Sequence, residues 1–502
     1  MKNRLCAAAC LLWFGCLGKW PSVMNPLDIA TLTEGSPRIT RVTDLGSPHI
    51  GKPGPIVTPA PDGRFVVGEL VLIEGRGFGK RPTVLIGGKP ADLRWRVEGG
   101  GLIAQIPSGL GAGPQTLVVE AAGQRAEHNL HIHRLAAVLD GTRGLLLTLL
   151  VGGGGGEQPH VKPWGQPLLL PGAFALAVSH DGAAAYVLLS RADHHEVAIV
   201  DLTEAHGPRI RAQLPLRHRV LGLASAALAP ALVLVGESQL TLWDTTEPNR
   251  PTPWPAVPLP LQTAPGSLFS LHPNGTLLSV GFPEQNEVVL LDVRAQKTTV
   301  TVKEAGRANV WPQATAPLLS ALRFSPDGRQ LWALLGDREP HRVKDSKFHF
   351  TRLAKLSVSA PGDDGVGRTL LAHEPFEARD IGPPLSLSVG RNRPAGSGAA
   401  IRDQAEEAFV VFAAAGTGAT PAGLFRLSEG GELKTISQEG PRFVGLDLDP
   451  SAGLAVAAEV LKVGSLSVTA FDTRVRSSAS FLLHGAPAEN DSKNRIEVMV
   501  QP

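Results

Sequence analysis

"FSPDGRQLWALL", residues 324–335, places a Ser-Pro-Asp-Gly turn between two apolar stretches. Gly at the end of such a turn supplies the positive φ that a tight hairpin needs, and Asp before it tolerates the local turn geometry. The scheme of apolar strand, polar turn ending in Gly, and apolar strand returns in "FALAVSHDGAAAYVLLSRADHHEVAIVDLT" (174–203) and "LFSLHPNGTLLSVGFPEQNEVVLLDV" (268–293). After a variable loop each unit adds a third strand, and these close at Asp201, Asp244, Asp292, Ser357, Ser428 and Asp472. The closing positions lie 43, 48, 65, 71 and 44 residues apart. A period of roughly 40–50 residues with four strands per unit predicts a β-propeller, the two long intervals being insertions. Asp327-Gly328 is therefore repeated architecture and not the edge of an active site.

Six units are evident from about residue 173 to 490. A seventh begins at Arg134, where "AAVLDGTRGLLLTLLV" (136–151) repeats the strand, Asp-Gly turn, strand order but lacks a clear third strand. The tail "RIEVMVQ" (495–501) reads as a third strand with no unit of its own. Joining the two predicts a seven-bladed propeller over 134–502, closed by strand exchange so that two sheet edges disappear. Strands 196–202 and 288–293 are apolar at nearly every position, as expected of sheets buried on both faces.

At 502 residues the chain exceeds one ordinary single-core domain, and 43% apolar content allows large cores. Abundant Gly (56) and Pro (42) with only 19% charged residues favours short strands and tight turns. The fold class is all-β. A net charge of +2 gives no field that would gather nucleic acid or anionic lipid, so neither is expected as a partner of the folded surface.

The three cysteines, Cys6, Cys10 and Cys16, all fall within an apolar run that follows Lys2 and Arg4. A positive start and roughly a dozen apolar residues is too short for an anchor helix and suits a signal peptide, here 1–17, so export to the periplasm or cell surface is expected. Gly15-Cys16 resembles a bacterial lipobox, although Trp13 and Phe14 stand where that pattern has Leu and a small residue. Cys16 is thus a candidate lipidation site, and that lipid would be the only membrane contact. A polar linker, 18–36, follows.

The segment 37–133 carries "GELVLIEGRGFGKRPTVLIGGKPADL" (68–93) and "LIAQIPSGLGAGPQTLVVEAAG" (102–123), short alternating strands joined by Gly-rich turns. Its Gly75-Arg76-Gly77-Phe78 turn, Ile106-Pro107 and Gly111-Ala112-Gly113 resemble an IPT/TIG domain. That resemblance implies an immunoglobulin-like sandwich serving as a binding or spacer module. In the remainder, "SHDGAAAYVLL" and "HEVAIVDL" resemble YVTN-type and WD40-like propellers of bacterial exported proteins, a likeness that concerns fold and not activity.

If the Asp-Gly turns share one face, the loops between second and third strands gather on the opposite, upper face with the connections between units. These loops are 190–196, 281–287, 336–352 and 413–423. Candidate binding residues there are Asp193, His194, His195, Arg338, His341, Arg342, Lys347 and Phe348, for a protein or glycan partner. A solvated loop extension is the plainer and preferred reading of 337–352, since loops tolerate insertions.

Two histidine groupings bear on metal: His194-His195 beside Asp193 and Glu196, and His128-x-x-His131-x-His133. His131 and His133 share one strand face, but no further ligand follows at a characteristic spacing, so no metal and no cofactor is expected. No nucleophile elbow, phosphate loop or zinc-protease motif occurs, and no catalytic residue is assigned. "LHPNGTLLSV" (271–280) is similar to a turn of phosphogluconolactonase-type propellers, with Gly281-Phe282 where that family has Asn-Glu. Two functions follow: an exported, non-catalytic binding or scaffolding protein, or a periplasmic propeller hydrolase of the lactonase type. Carboxylates and histidines at the channel mouth would favour the second.

Overall fold

The computed structural model describes residues 35–501 apart from 47, 50–55, 58–62, 97–99, 112, 155–156, 204–206, 249, 297–298, 311–317, 337–340, 344–345, 349, 359–369, 373–375, 380–383, 392–407, 415–422, 429–431, 439–442, 450–453, 461–464, 474–477 and 484–495. Residues 1–17, where a signal peptide is expected, with Cys16, and Arg338 lie outside the described residues. Every regular element is a β-strand, and no helix among the described residues is long and apolar enough to cross a membrane. The chain divides into two compact units, one comprising the chain up to Thr43, Leu70–Gln105 and Thr116–Asn129, the other Asp44–Glu69, Ile106–Gln115 and Leu130 onward.

In the smaller unit, Leu70–Arg76 pairs antiparallel with Leu102–Gln105, which pairs in turn with Asp92–Arg96. A second ladder joins Thr83–Ile86 to residues 117–120. Gly75 and Gly77 are needed here. A Cβ on Gly75 would meet the Arg38 carbonyl and the Phe78 ring, and Gly77 adopts φ 73 beneath the Ser36 carbonyl.

Among the described residues the larger unit contains seven sheets of four or five strands, besides two short two-stranded ones, in a β-propeller-like arrangement. Six follow chain order, over 173–216, 220–258, 268–309, 318–379, 384–438 and 443–483. Their third strands contain Asp201, Asp244, Asp292, Ser357, Ser428 and Asp472, the positions from which the repeat was read. The remaining sheet is composite: Ile496–Val500 pairs antiparallel with residues 136–140, the adjoining strand Leu145–Gly154 follows, and Glu157–Pro163 forms the edge.

This first sheet departs from the sequence reading by one strand. The tail is its innermost strand and not its third, and "EQPHVKP" (157–163), to which the sequence reading assigns no strand, is its outermost. Pro159 and Pro163 are tolerated because an edge strand can lack backbone donors. Asp140-Gly141 consequently turns between second and third strands.

Strand alternation sends apolar side chains to both faces of each sheet, and each face shares a core with the next sheet. Val187 and Ala198 pack with Leu135 and Leu139, whereas Tyr186 and Ile199 pack with Leu232 and Leu234. The series continues through Val233 with Leu278, Leu290 with Leu331, Leu334 with Val410, and Val411 with Ala455. It returns to the first sheet through Val456 with Val138 and Val498. Burial on both faces explains why these strands read as continuous apolar runs.

The Asp-Gly and Asn-Gly turns between first and second strands share one geometry. The amides of Gly182, Gly275 and Gly328 donate to Ser179, His272 and Ser325 carbonyls at 2.9, 2.8 and 2.8 Å, with φ of 75, 77 and 73. At Gly328 a Cβ would collide with the His272 ring of the preceding turn.

Candidate functional site

The upper face is fixed by one hydrogen bond. The amide of Val220, which opens the next sheet, donates to His195 Nδ1 at 3.2 Å, so loop 191–194 and connection 217–219 lie together. His195 is further held edge-on against Phe174, ring centroids 5.3 Å apart. Burial lowers the proton affinity of its imidazole.

Its neighbour behaves oppositely. His194 Nδ1 lies 2.6 Å from Asp193 and Nε2 lies 3.0 Å from Glu196, and these carboxylates raise its pKa above the ordinary value. Arg191 completes the chain, Nε to Glu196 at 2.8 Å and Nη1 to the Pro171 carbonyl at 2.8 Å. Nearby charges are paired as well: Arg219 with Glu237 at 3.5 Å, and Arg307 with both Glu287 and Glu304 at 3.0 Å. The face therefore presents ion pairs of both signs.

Residues 341–343 and 346–348 are paired strands and not open loop. His341–Val343 and Ser346–Phe348 make a two-stranded hairpin in which His341 opposes Phe348 and Arg342 opposes Lys347. The hairpin is inserted between the second and third strands of its sheet.

A cavity of about 280 Å³ lies among the innermost strands, and every sheet contributes: Glu497, Leu176, Ser225, Ser270, Arg323, Ser386 and Leu446 line it. Sequence reasoning missed its charged groups because none belongs to a motif. Glu497 Oε2 accepts the Leu176 amide at 2.6 Å. Asp447 accepts Ser388 Oγ at 2.9 Å and the Val500 amide at 2.8 Å, and burial raises its pKa despite the opposing pull of Arg323. Both carboxylates thus tie the closing strand 496–500 to its neighbours.

Of the second histidine grouping, His131 and His133 do share a strand face, with ring centroids 4.9 Å apart. Among the described residues no group of three or more His, Cys, Asp and Glu side chains is arranged to hold a metal ion.

No family model and no curated protein matches the chain. Solved structures do. A candidate 6-phosphogluconolactonase from Bacteroides fragilis is 10% identical with TM-score 0.47, over 74% of this chain and 98% of that one. Its counterpart from Bacteroides uniformis is 12% identical with TM-score 0.45, over 73% and 99%. An auxiliary nutrient binding protein from Bacteroides ovatus is 13% identical with TM-score 0.35, over 79% and 93%.

Proposed function

We propose that the chain is an exported, non-catalytic binding or scaffolding protein. In this reading a signal peptide (1–17), with Cys16 as its lipidation candidate, and a linker (18–36) precede a TIG-like spacer (37–133) and a seven-bladed propeller (134–502). The upper face of the propeller holds a protein partner. The observation that carries the reading is the Val220 to His195 bond, which gathers loop 191–194 and its ion-paired side chains beside the connections between sheets. A surface of alternating, mutually satisfied charges favours recognition of a polar protein surface over steering of a uniformly charged ligand. The roles of the channel carboxylates support it too, since both already accept backbone amides that close the ring.

A photo-crosslinker at the exposed Ala192 is expected to capture a discrete protein from envelope extracts, and the same probe at exposed Lys162 is not. Equal capture from both positions would sink the reading, and capture of glycan alone would redirect it. The lactonase-type alternative has one feature in its favour, the raised Asp447 carboxyl beside the channel. Turnover of lactones or sugar esters that Asp447→Asn abolishes, in a variant that still folds, would establish that alternative instead.

A further inference from the structure

We propose that His131, His133 and His160, flanked by Arg64 and Lys162, form a binding site for an oxyanion, a phosphate or sulfate group, that strengthens as the imidazoles take up protons. The row follows from strand register. Arg134 opposes Val151 and Gly152 opposes His160, so His133 comes level with Gly152 and His160 across three strands. Residues opposed in antiparallel strands share a face, and alternation adds His131 and Lys162 to it. Parallel pairing of Ile132 with Phe65 sets Arg64 level with His131.

Gly152 makes the contact. A Cβ there would collide with the His160 ring, and without one that ring lies across the middle strand to meet His133 edge-on, centroids 5.7 Å apart at 73°. His131 meets His133 on the same face at 4.9 Å.

Two further observations point to an anion. His133 Nδ1 is buried without a hydrogen-bond partner among the described residues. The charged and titratable groups acting on His133 are His131, His160, Arg64 and Lys162, every one a cation or a potential cation; with burial, the largest cause, they lower its pKa to about 4. A buried polar nitrogen surrounded by positive charge gains from an oxygen ligand that accepts its proton and offsets the repulsion. Each imidazole that takes up a proton adds attraction, and a bound anion favours that protonation reciprocally.

The test is calorimetric titration of the purified protein with sodium sulfate, whose charge is constant across the range, at pH 5.0 and 7.5. Binding at least tenfold tighter at pH 5.0 is expected, with the imidazole NMR signals of His131, His133 and His160 titrating at higher pH when sulfate is present. The double variant His133→Asn, His160→Gln is expected to lose most of the pH dependence, His131 alone remaining to titrate. Should that pair misfold, the exposed-site variants Arg64→Met and Lys162→Met serve instead and are expected to weaken sulfate several-fold. Absent or pH-independent binding, binding indifferent to these substitutions, or stoichiometric uptake of Zn²⁺ at pH 7.5 in place of sulfate would each overturn the proposal.

Discussion

The two ends of the sheet ring place histidine in opposite electrostatic company. At the upper face His194 sits between Asp193 and Glu196, largely in solvent, and its pKa rises. At the other end His133 is half-buried among cations, and its pKa falls to about 4. The same side chain therefore holds its proton more tightly in one setting than in the other. Sequence adjacency does not decide the matter: His195, directly after His194, is lowered because its ring turns inward. What decides is which strand face the residue occupies and what the register brings opposite.

Five substitutions probe this contrast. The largest effect belongs to the closing end. Arg134 is fully buried and donates to the carbonyls of Leu110 and Gln501, so Arg134→Met should cost about 3–5 kcal/mol in chemical denaturation, because buried acceptors lose a charged donor. The upper-face control Arg219→Met, which removes a half-exposed pair, should cost no more than about 0.5 kcal/mol. Equal losses would erase the distinction between the two ends.

Next comes Gly152→Val, which forces the His160 ring away; a loss of about 1–3 kcal/mol is expected from overpacking, with the His133 signal moving toward ordinary titration as one neighbour leaves. His133→Asn acts through pH. Because the folded state lowers this pKa, the unfolded chain binds more protons between about pH 6.5 and 4, and stability falls as pH falls through that window. His133 retains partial exposure, so the variant should flatten the decline by only about 1–2 kcal/mol. The smallest change is Glu196→Gln, after which His194 should titrate closer to its ordinary value with unfolding unchanged. An unmoved His194 would assign the shift to Asp193 alone.

The repeat was legible because turn chemistry and third-strand endings are local: Gly182, Gly275 and Gly328 are required by φ, and Asp201 and Asp472, themselves buried, close apolar third strands. The first sheet was legible only in part. Residues 157–163 look like loop because two prolines and a lysine mask an edge strand, and nothing local distinguishes an innermost strand at 496–500 from a third one. The His160 contribution was hidden for the same reason. It lies beyond a Gly-rich hairpin from His131 and His133, and the available signal was the pairing of Gly152 with a His-x-Lys alternation that only a strand would place on one face. Asp447 and Glu497 carry no motif, and only the ring brings them to the bonds that hold the closing strand 496–500.

The pairing of residues 136–140 with 496–500 has a consequence for how the molecule is made. Translation exposes one partner long before the other exists, so an unsatisfied hydrogen-bonding edge persists through almost the whole of biosynthesis. Contacts this distant in sequence make closure slow compared with the formation of each hairpin. During that interval the waiting edge can accept the same tail from another molecule as readily as its own. High expression should therefore yield exchanged dimers whose proportion depends on concentration during folding and, once both rings are shut, no longer responds to dilution.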